Sequence, residues 1–507
     1  MKSRRISAAA VMACAFLLLG VVNAQAQAQG NTQWAPLDAY IRANMREYKV
    51  PGLALGIVRG NQVYVKGFGV RDINTRQPVT PNTLFDIGSC TKAFTAAAVG
   101  ILVDEGKMRW DGRVRDYVPF FHLYDPLADE NVTLRDLLTH RTGLGGTDLL
   151  WYGSSMTLPE IIRRVRYIKP DAGFRAKFQY QNVMYATAGF AVGLVTESTW
   201  QDFVRQRIFG PLGMTGADFS ATDAQSAPDH ATPHAERGGK VVTIPWRNID
   251  NVAPAGSINS GVADMSKWIA MQLNNGMANG KQIVSVQSMK EMHTPQIVVP
   301  QGGEFELFFP RALQLSYGMG WFIQDYGGHQ ILLHPGDIDG FASLVVLIPE
   351  AHTGFVILTN LDHTPVREGL GYHLIDQFLA LPNHHWTAYF ANVAKQFQAV
   401  GKKRAEEWQF ARHPNTHPSR ELAAYAGTYR NRAYGRVIIS LEGNQLHMKF
   451  HSFTGTLKHF QYDTFVANLG GFGISRVTFT LDAEGNVAKL TTSGLKFRRV
   501  AQPDTER

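Results

Sequence analysis

The chain has 507 residues, 45% hydrophobic and 18% charged, a globular composition long enough for more than one core. Its formal charge is +8, but the lysines and arginines are scattered rather than run together, so nucleic-acid binding gains little support. Cys14 lies in an apparent leader, which leaves Cys90 without an intramolecular partner, and the fold must rest on its core rather than on disulfides.

Residues 1–28 read as a cleavable signal peptide. Lys2, Arg4 and Arg5 form a positive n-region, "AAAVMACAFLLLGVV" is apolar but too short for a permanent span, and Ala24-Gln25-Ala26 offers a small-residue cleavage site. Its removal takes away those three positive charges and no acidic ones, leaving about +5. A periplasmic or secreted protein is expected. No later apolar stretch reaches about 18 residues, so no permanent membrane span is predicted.

Residues 31–385 mix helical and strand patterns. "LALGIVRGNQVYVKGFGVRD" predicts a hairpin turning at Gly60-Asn61. "SCTKAFTAAAVGILVDEG" predicts a helix that starts on a serine and stops at Gly106. "HQILLHPG", "FASLVVLIPE" and "TGFVILTN" are short apolar runs that read as consecutive antiparallel strands. Strands at both ends with helices between predict an α+β domain, an antiparallel sheet flanked by helices. Residues 386–415 read as a helical connector and linker. Residues 416–507 alternate apolar and polar positions in short runs such as "RVIISL" and "RVTFTL", which predicts a small all-β barrel or sandwich.

The chemistry gathers at "GSCTK". A helix starting near Ser89 puts Lys92 on the same face, one turn on, while Cys90 points about 100° away. The positive helix end and a sequestered pocket would both lower the lysine pKa, making a neutral amine available as proton acceptor for a serine nucleophile. The Ser89 N–H is a helix-start donor able to hold an oxyanion. Ser-x-x-Lys alone is equally a plain helix start with serine as its cap.

Five stretches in order change that balance: "GSCTK" (88–92), "LLTHRTGL" (137–144), "FQYQN" (178–182), "PLGM" (211–214) and "HPGDIDGF" (334–341). "APAGSINSGVADMSKW" (253–268) and "YGMGW" (317–321) add to them. The chain resembles the serine β-lactamase-like superfamily, within it the class C, D-aminopeptidase and esterase branch, over residues 35 to 380. The resemblance implies a β-lactamase/transpeptidase-like fold with a helical subdomain, no cofactor and no metal. It implies Ser89 as acylated nucleophile, Lys92 as its partner and Tyr180 as proton relay. Asn182 would orient Lys92 and the substrate amide. His334-Pro335-Gly336 takes the place of the family's Lys-Thr-Gly, with Asp337 N–H as second oxyanion donor. Gly336 would let substrate backbone approach. His334 would help Tyr180, either as a cation or in protonating the leaving group. The C-terminal part resembles the lipocalin-like domain of several such peptidases.

The departures from Lys-Thr-Gly bear on substrate. His334 is at most partly charged near neutrality, and Pro335 has neither hydroxyl nor N–H. Recognition of a penicillin-type carboxylate should suffer, which moves the substrate class toward esters and peptide amides, D-residue peptides included. A β-lactamase or penicillin-binding D,D-peptidase is the alternative enzyme, and a non-catalytic ligand sensor the alternative class. The oligomeric state stays open. Tyr429-Arg430-Asn431 and His352-Thr353-Gly354 repeat two motifs by coincidence, the first in the β region and the second at a hairpin turn. His384, His385, His413 and His417 lie in linker-like sequence without a cysteine partner and read as exposed polar residues.

Overall fold

The computed structural model describes residues 33–410, 412–470 and 473–500. The expected signal peptide lies outside them. The chain divides into two compact units, the first ending at Val50 and the second running from Pro51. The described part of the first unit is centred on one helix, Ala35–Glu47. Among the described residues no helix is long and apolar enough to cross a membrane.

The second unit is built on an eight-stranded antiparallel sheet. Strand Gly52–Arg59 pairs on one side with Gln62–Gly69, the expected hairpin, and on the other with Thr353–Thr359. From there the sheet continues through Phe341–Ile348, His329–Ile338, Phe322–Tyr326, Ala312–Tyr317 and Ile297–Val298. The three apolar runs of the sequence are thus successive antiparallel strands. Phe341–Ile348 and Thr353–Thr359 are buried at every position. Gly354 faces Ile269 of helix Val262–Leu273, and Ile357 faces Gly371 of helix Val366–Phe378. Positions 354 and 357 point to opposite faces, so a helix covers each face and continuous apolar runs result instead of alternation.

Between the hairpin and the meander lie the helices that carry the site. Helix Thr91–Asp104 is buried on almost all sides and packs against helix Asn182–Val195. Asp136 organises the neighbouring segment. Its carboxylate accepts from the Thr133 N–H and hydroxyl, from Arg141 Nε at 2.5 Å and from Arg175 Nη2 at 2.7 Å. That network anchors the turn in which His140 takes φ +57° and its carbonyl receives the Gln179 N–H at 2.7 Å, just ahead of Tyr180.

Helix Trp386–Phe410 leads toward a closed eight-stranded barrel spanning Gly427 to Val500. Alternation along strands such as Gly435–Glu442 sends Tyr429, Val437, Met448, Phe479, Leu490 and Phe497 inward. Tyr429, the coincidental Tyr-x-Asn match, donates its buried hydroxyl to Tyr425 O and is structural. His352 likewise occupies a left-handed turn between strands. The barrel's Phe450–Phe453 turn meets the loop after residue 148. Ser452 N–H donates to Gly153 O at 3.0 Å, His451 Nε2 lies 3.0 Å from Leu149 O, and Phe453 stacks on Tyr152 with centroids 5.6 Å apart.

Asp136 is fully buried. Its burial disfavours the charged form, but Arg175, Arg141 and Thr133 outweigh that and hold its pKa below the usual carboxylate value. Asp136→Asn should therefore lower stability at neutral pH by about 3 kcal/mol, measured by denaturant unfolding. Because the folded-state pKa is depressed, the carboxylate's contribution is present above the unfolded pKa of about 4 and fades as pH falls below it. The gap between parent and variant should narrow over that range.

Candidate active site

Ser89 lies in a short 3-10 turn, Gly88–Cys90, that runs directly into helix Thr91–Asp104. Asp86 fixes this turn by accepting the Gly88 N–H at 2.8 Å, with Gly88 at φ +49°. The turn crosses strand His329–Ile338 at very close range. A Cβ on Gly88 would stand 2.8 Å from Asp337 N, and one on Gly336 would stand 2.0 Å from Ile87 O. Gly336 is therefore required by the serine-bearing turn itself.

Lys92 is fully buried, while Ser89, Tyr180 and Asn182 are half-buried around it. Its Nζ lies 2.9 Å from Ser89 Oγ, 2.8 Å from Asn182 Oδ1 and 2.8 Å from Ala255 O. Burial pushes its pKa down to about 7, opposed by the carboxylate of Asp148. A neutral amine has two N–H donors and one lone pair. Ala255 O and Asn182 Oδ1 can only accept, so they take the two N–H groups and leave the lone pair facing the Ser89 hydroxyl. The Asn182 amide is oriented in turn: its Nδ2 donates at 3.1 Å to Asp148, which also receives the Trp151 indole N–H at 2.9 Å. An ionised carboxylate accepts only, so Asn182 must present its oxygen to the lysine.

Tyr180 lies beside Ser89, and its ring centroid lies 4.7 Å from Lys92 Nζ. Burial raises its pKa well above 10, with the Ser89 hydroxyl opposing, so the phenol keeps its proton. The His140 ring lies tilted behind it, centroids 4.3 Å apart, and accepts the Gln181 N–H on Nδ1 at 3.0 Å.

Strand Phe322–Tyr326 pairs with the site strand only as far as Phe322↔Leu333, while Phe341–Ile348 pairs with it on to Ile338. The stretch from His334 to Ile338 thus has one edge outside the described ladder, next to Ser89, where an extended chain or acyl group can lie.

A beta-lactamase family model matches residues 37–380, and a second, called Domain of unknown function (DUF3471), matches 411–505. The first match spans more than half of the chain. The chain belongs to the beta-lactamase family. Among its relatives is a protein named unguisins hydrolase from Aspergillus violaceofuscus, 28% identical over 80% of this chain and 77% of its own length. Protein flp of Staphylococcus aureus strain COL is 25% identical over 73% of this chain and 70% of its own. Of solved structures, the octameric penicillin-binding protein homologue from Pyrococcus abyssi superposes with TM-score 0.59 at 22% identity, covering 91% of this chain and 98% of its own. SurE superposes at 0.55 with 19% identity, covering 93% and 100%. These likenesses show a β-lactamase fold, and the chain is a serine hydrolase of that superfamily.

Within this family frame the structure brings Ser89, Lys92, Tyr180, Asn182, Gly336 and Asp337 together. His334 is beside them, its ring 6.2 Å from that of Tyr180. Its Nδ1 lies 2.7 Å from Pro335 O, which can only accept, so Nδ1 carries the proton and Nε2 accepts from the Tyr317 hydroxyl at 3.0 Å. Burial, with Lys92 adding to it, pushes its pKa down to about 3. A neutral imidazole with both nitrogens engaged neither stabilises a phenolate nor supplies a proton to a leaving group. Cys90 is buried beneath the turn, its Sγ 3.1 Å from His334 O, and burial pushes the thiol up to about 11. It is no competing nucleophile.

Sequence reasoning missed Asp148, Ala255 and His140. Ala255 acts through a backbone carbonyl, which carries no residue-type signal, and Asp148 is one loop acid among many. Both Ala255 and His140 sit in stretches that resemble the family, the one available pointer to them.

Activity against an ester should rise with pH through about 7 as Lys92 loses its proton, read as the acid limb of kcat/KM. Asp148→Asn removes the carboxylate that favours the ammonium form, so this limb should move to lower pH. Movement to higher pH would contradict the arrangement.

Proposed function

We propose that this protein hydrolyses peptide amide or ester bonds through an acyl-enzyme on Ser89. The observation that carries this reading is the buried Lys92 amine, held by Ala255 O and Asn182 Oδ1 with its Nζ 2.9 Å from the Ser89 Oγ. Ser89 Oγ attacks the scissile carbonyl carbon while Lys92 takes its proton. The N–H groups of Ser89 and Asp337 hold the oxyanion. As the tetrahedral intermediate collapses, Lys92 returns the proton to the leaving nitrogen or oxygen through the neutral Tyr180 phenol, which receives one proton as it gives another. Water then attacks the ester with Lys92 again as base, releasing acid and restoring Ser89. In this reading His334 braces the strand and the aromatic wall behind Tyr180 and moves no proton.

Two features support small peptides and esters over penicillin-type substrates. The edge of the site strand from His334 onward suits an extended amide. His334, in the position of the family's lysine, is neutral, and the two arginines that contact this strand end are already paired: Arg247 with Asp339, Arg367 with Asp337 and Glu368. Among the described residues at this strand end, a substrate carboxylate meets no uncommitted cation. The relative named unguisins hydrolase adds support for a hydrolytic role. Export to the periplasm or exterior is part of the proposal, supported by the leader-like pattern of residues 1–28.

A mixed library of L- and D-residue peptides, read by mass spectrometry, tests the substrate class. Cleavage should occur with the parent and vanish with Ser89→Ala. On an ester substrate, Ser89→Ala and Lys92→Ala should each lower kcat by at least about a thousandfold, and a fluorophosphonate should label the parent alone of the parent and Ser89→Ala. A loss below about tenfold in either variant would remove the acyl-enzyme reading.

A further inference from the structure

Arg367 is the second residue of helix Val366–Phe378, which packs on strands Phe341–Ile348 and Thr353–Thr359, and it is 7% exposed. Its Nη1 donates to Gly336 O at 2.8 Å and to Asp337 Oδ1 at 2.6 Å, and its Nε donates to Glu368 Oε1 at 2.8 Å. Gly336 O belongs to the same peptide unit as the Asp337 N–H. No cis peptide occurs among the described residues, and a trans peptide points its carbonyl and N–H in opposite directions. The guanidinium therefore holds one end of this peptide while the N–H emerges at the other. That other end is the Ser89 side, because the Cβ position of Gly88 lies 2.8 Å from Asp337 N.

We infer that Arg367 is a positioning residue for the oxyanion hole, fixing the Gly336–Asp337 peptide and polarising it so that the Asp337 N–H becomes a stronger donor to the developing oxyanion. The inference rests on the Ser89 acyl-enzyme reading. Its physical basis is cooperativity along a hydrogen-bond chain: a cation on a carbonyl withdraws electron density from the adjoining N–H, and low local dielectric strengthens the effect. Asp337 and Glu368 outweigh the cost of burial and keep the guanidinium charged. Asp337 serves twice, its carboxylate locating Arg367 and its backbone N–H facing the pocket. The benefit grows as negative charge gathers on the substrate oxygen, so it belongs to the transition state more than to bound substrate.

The competing account is a buried ion pair that serves the fold alone. Three full-length variants separate the two, assayed with a p-nitrophenyl ester and with phenylboronic acid, which forms a tetrahedral adduct on a nucleophilic serine. Arg367→Gln should lower kcat about tenfold and weaken phenylboronic acid by a similar factor, with KM changed less than about threefold. Arg367→Lys, which keeps a cation within reach of Gly336 O, should recover part of both losses. Glu368→Gln, which breaks the ion pair with Glu368 but leaves the guanidinium on Gly336 O and Asp337, should hold kcat within about threefold of the parent. The inference is overturned if folded Arg367→Gln keeps kcat and boronate affinity within about twofold, or if Glu368→Gln loses as much as Arg367→Gln. Should Arg367→Gln fail to fold, the same comparison is made with Arg367→Lys: a kcat no lower than that of Glu368→Gln overturns the inference, and a lower one upholds it. Fluorophosphonate labelling of the parent, absent in Ser89→Ala, keeps the two readings apart. Labelling without any Arg367 effect removes this inference alone, whereas no labelling removes the Ser89 reading beneath it.

Discussion

A lysine amine enclosed among carbonyl oxygens is the constraint from which the site follows. In water an amine of this kind holds its proton until about pH 10. Burial shifts the balance for Lys92 because no carboxylate contacts Nζ directly; its three neighbours are a hydroxyl, an amide oxygen and a peptide oxygen. Ammonium would need three good acceptors and charge compensation, whereas the neutral amine needs two acceptors and one donor. Ala255 O, Asn182 Oδ1 and the Ser89 hydroxyl can serve either form, and burial without a contacting carboxylate favours the second. The chemistry of the serine is thus decided by which partners its lysine has.

Each partner comes from a different part of the chain, and the fold exists to bring them to one point. Ser89 and Lys92 share the start of helix Thr91–Asp104, Asn182 opens the helix packed on it, and Ala255 comes from the turn Ala253–Gly256. Asp148 holds Asn182 from a loop whose next residues contact the barrel through Leu149, Tyr152 and Gly153. The C-terminal barrel therefore touches the chemistry at second hand, through the loop that sets the orientation of one amide. The other boundary is the crossing of two backbones at Gly88 and Gly336, which places the serine against strand His329–Ile338.

Much of this was legible in the sequence where the signal is local. The Gly60-Asn61 hairpin, the three successive strands after residue 328 and the helix ending at Gly106 all follow from turn residues and runs of apolar side chains. Ser89 and Lys92 could be paired from helical spacing, and Tyr180, Asn182, Gly336 and Asp337 came from the ordered resemblance to the family, since none of them stands out alone. The state of His334 was not legible. A histidine's ordinary pKa leaves its charge open, and only burial against Tyr317 and Pro335 O decides it. The reason for Gly336 was hidden for a related cause, because the atom it avoids, Ile87 O, lies far away in sequence. Asp148 and Arg367 act across 34 and 30 residues of chain to reach Asn182 and Asp337, and no spacing rule announces such partners.

The most direct test is the titration of Lys92 itself. Protein labelled with 13C at lysine Cε, with the Lys92 resonance assigned by its loss in a Lys92→Arg variant, reports the charge of this amine by NMR across a pH series. The account predicts a midpoint near pH 7, far from the bulk of the lysines. A Lys92 midpoint near the ordinary value of about 10 would mean that the amine is an ammonium in the working enzyme. Proton acceptance from Ser89 would then have to lie elsewhere, which contradicts the central claim.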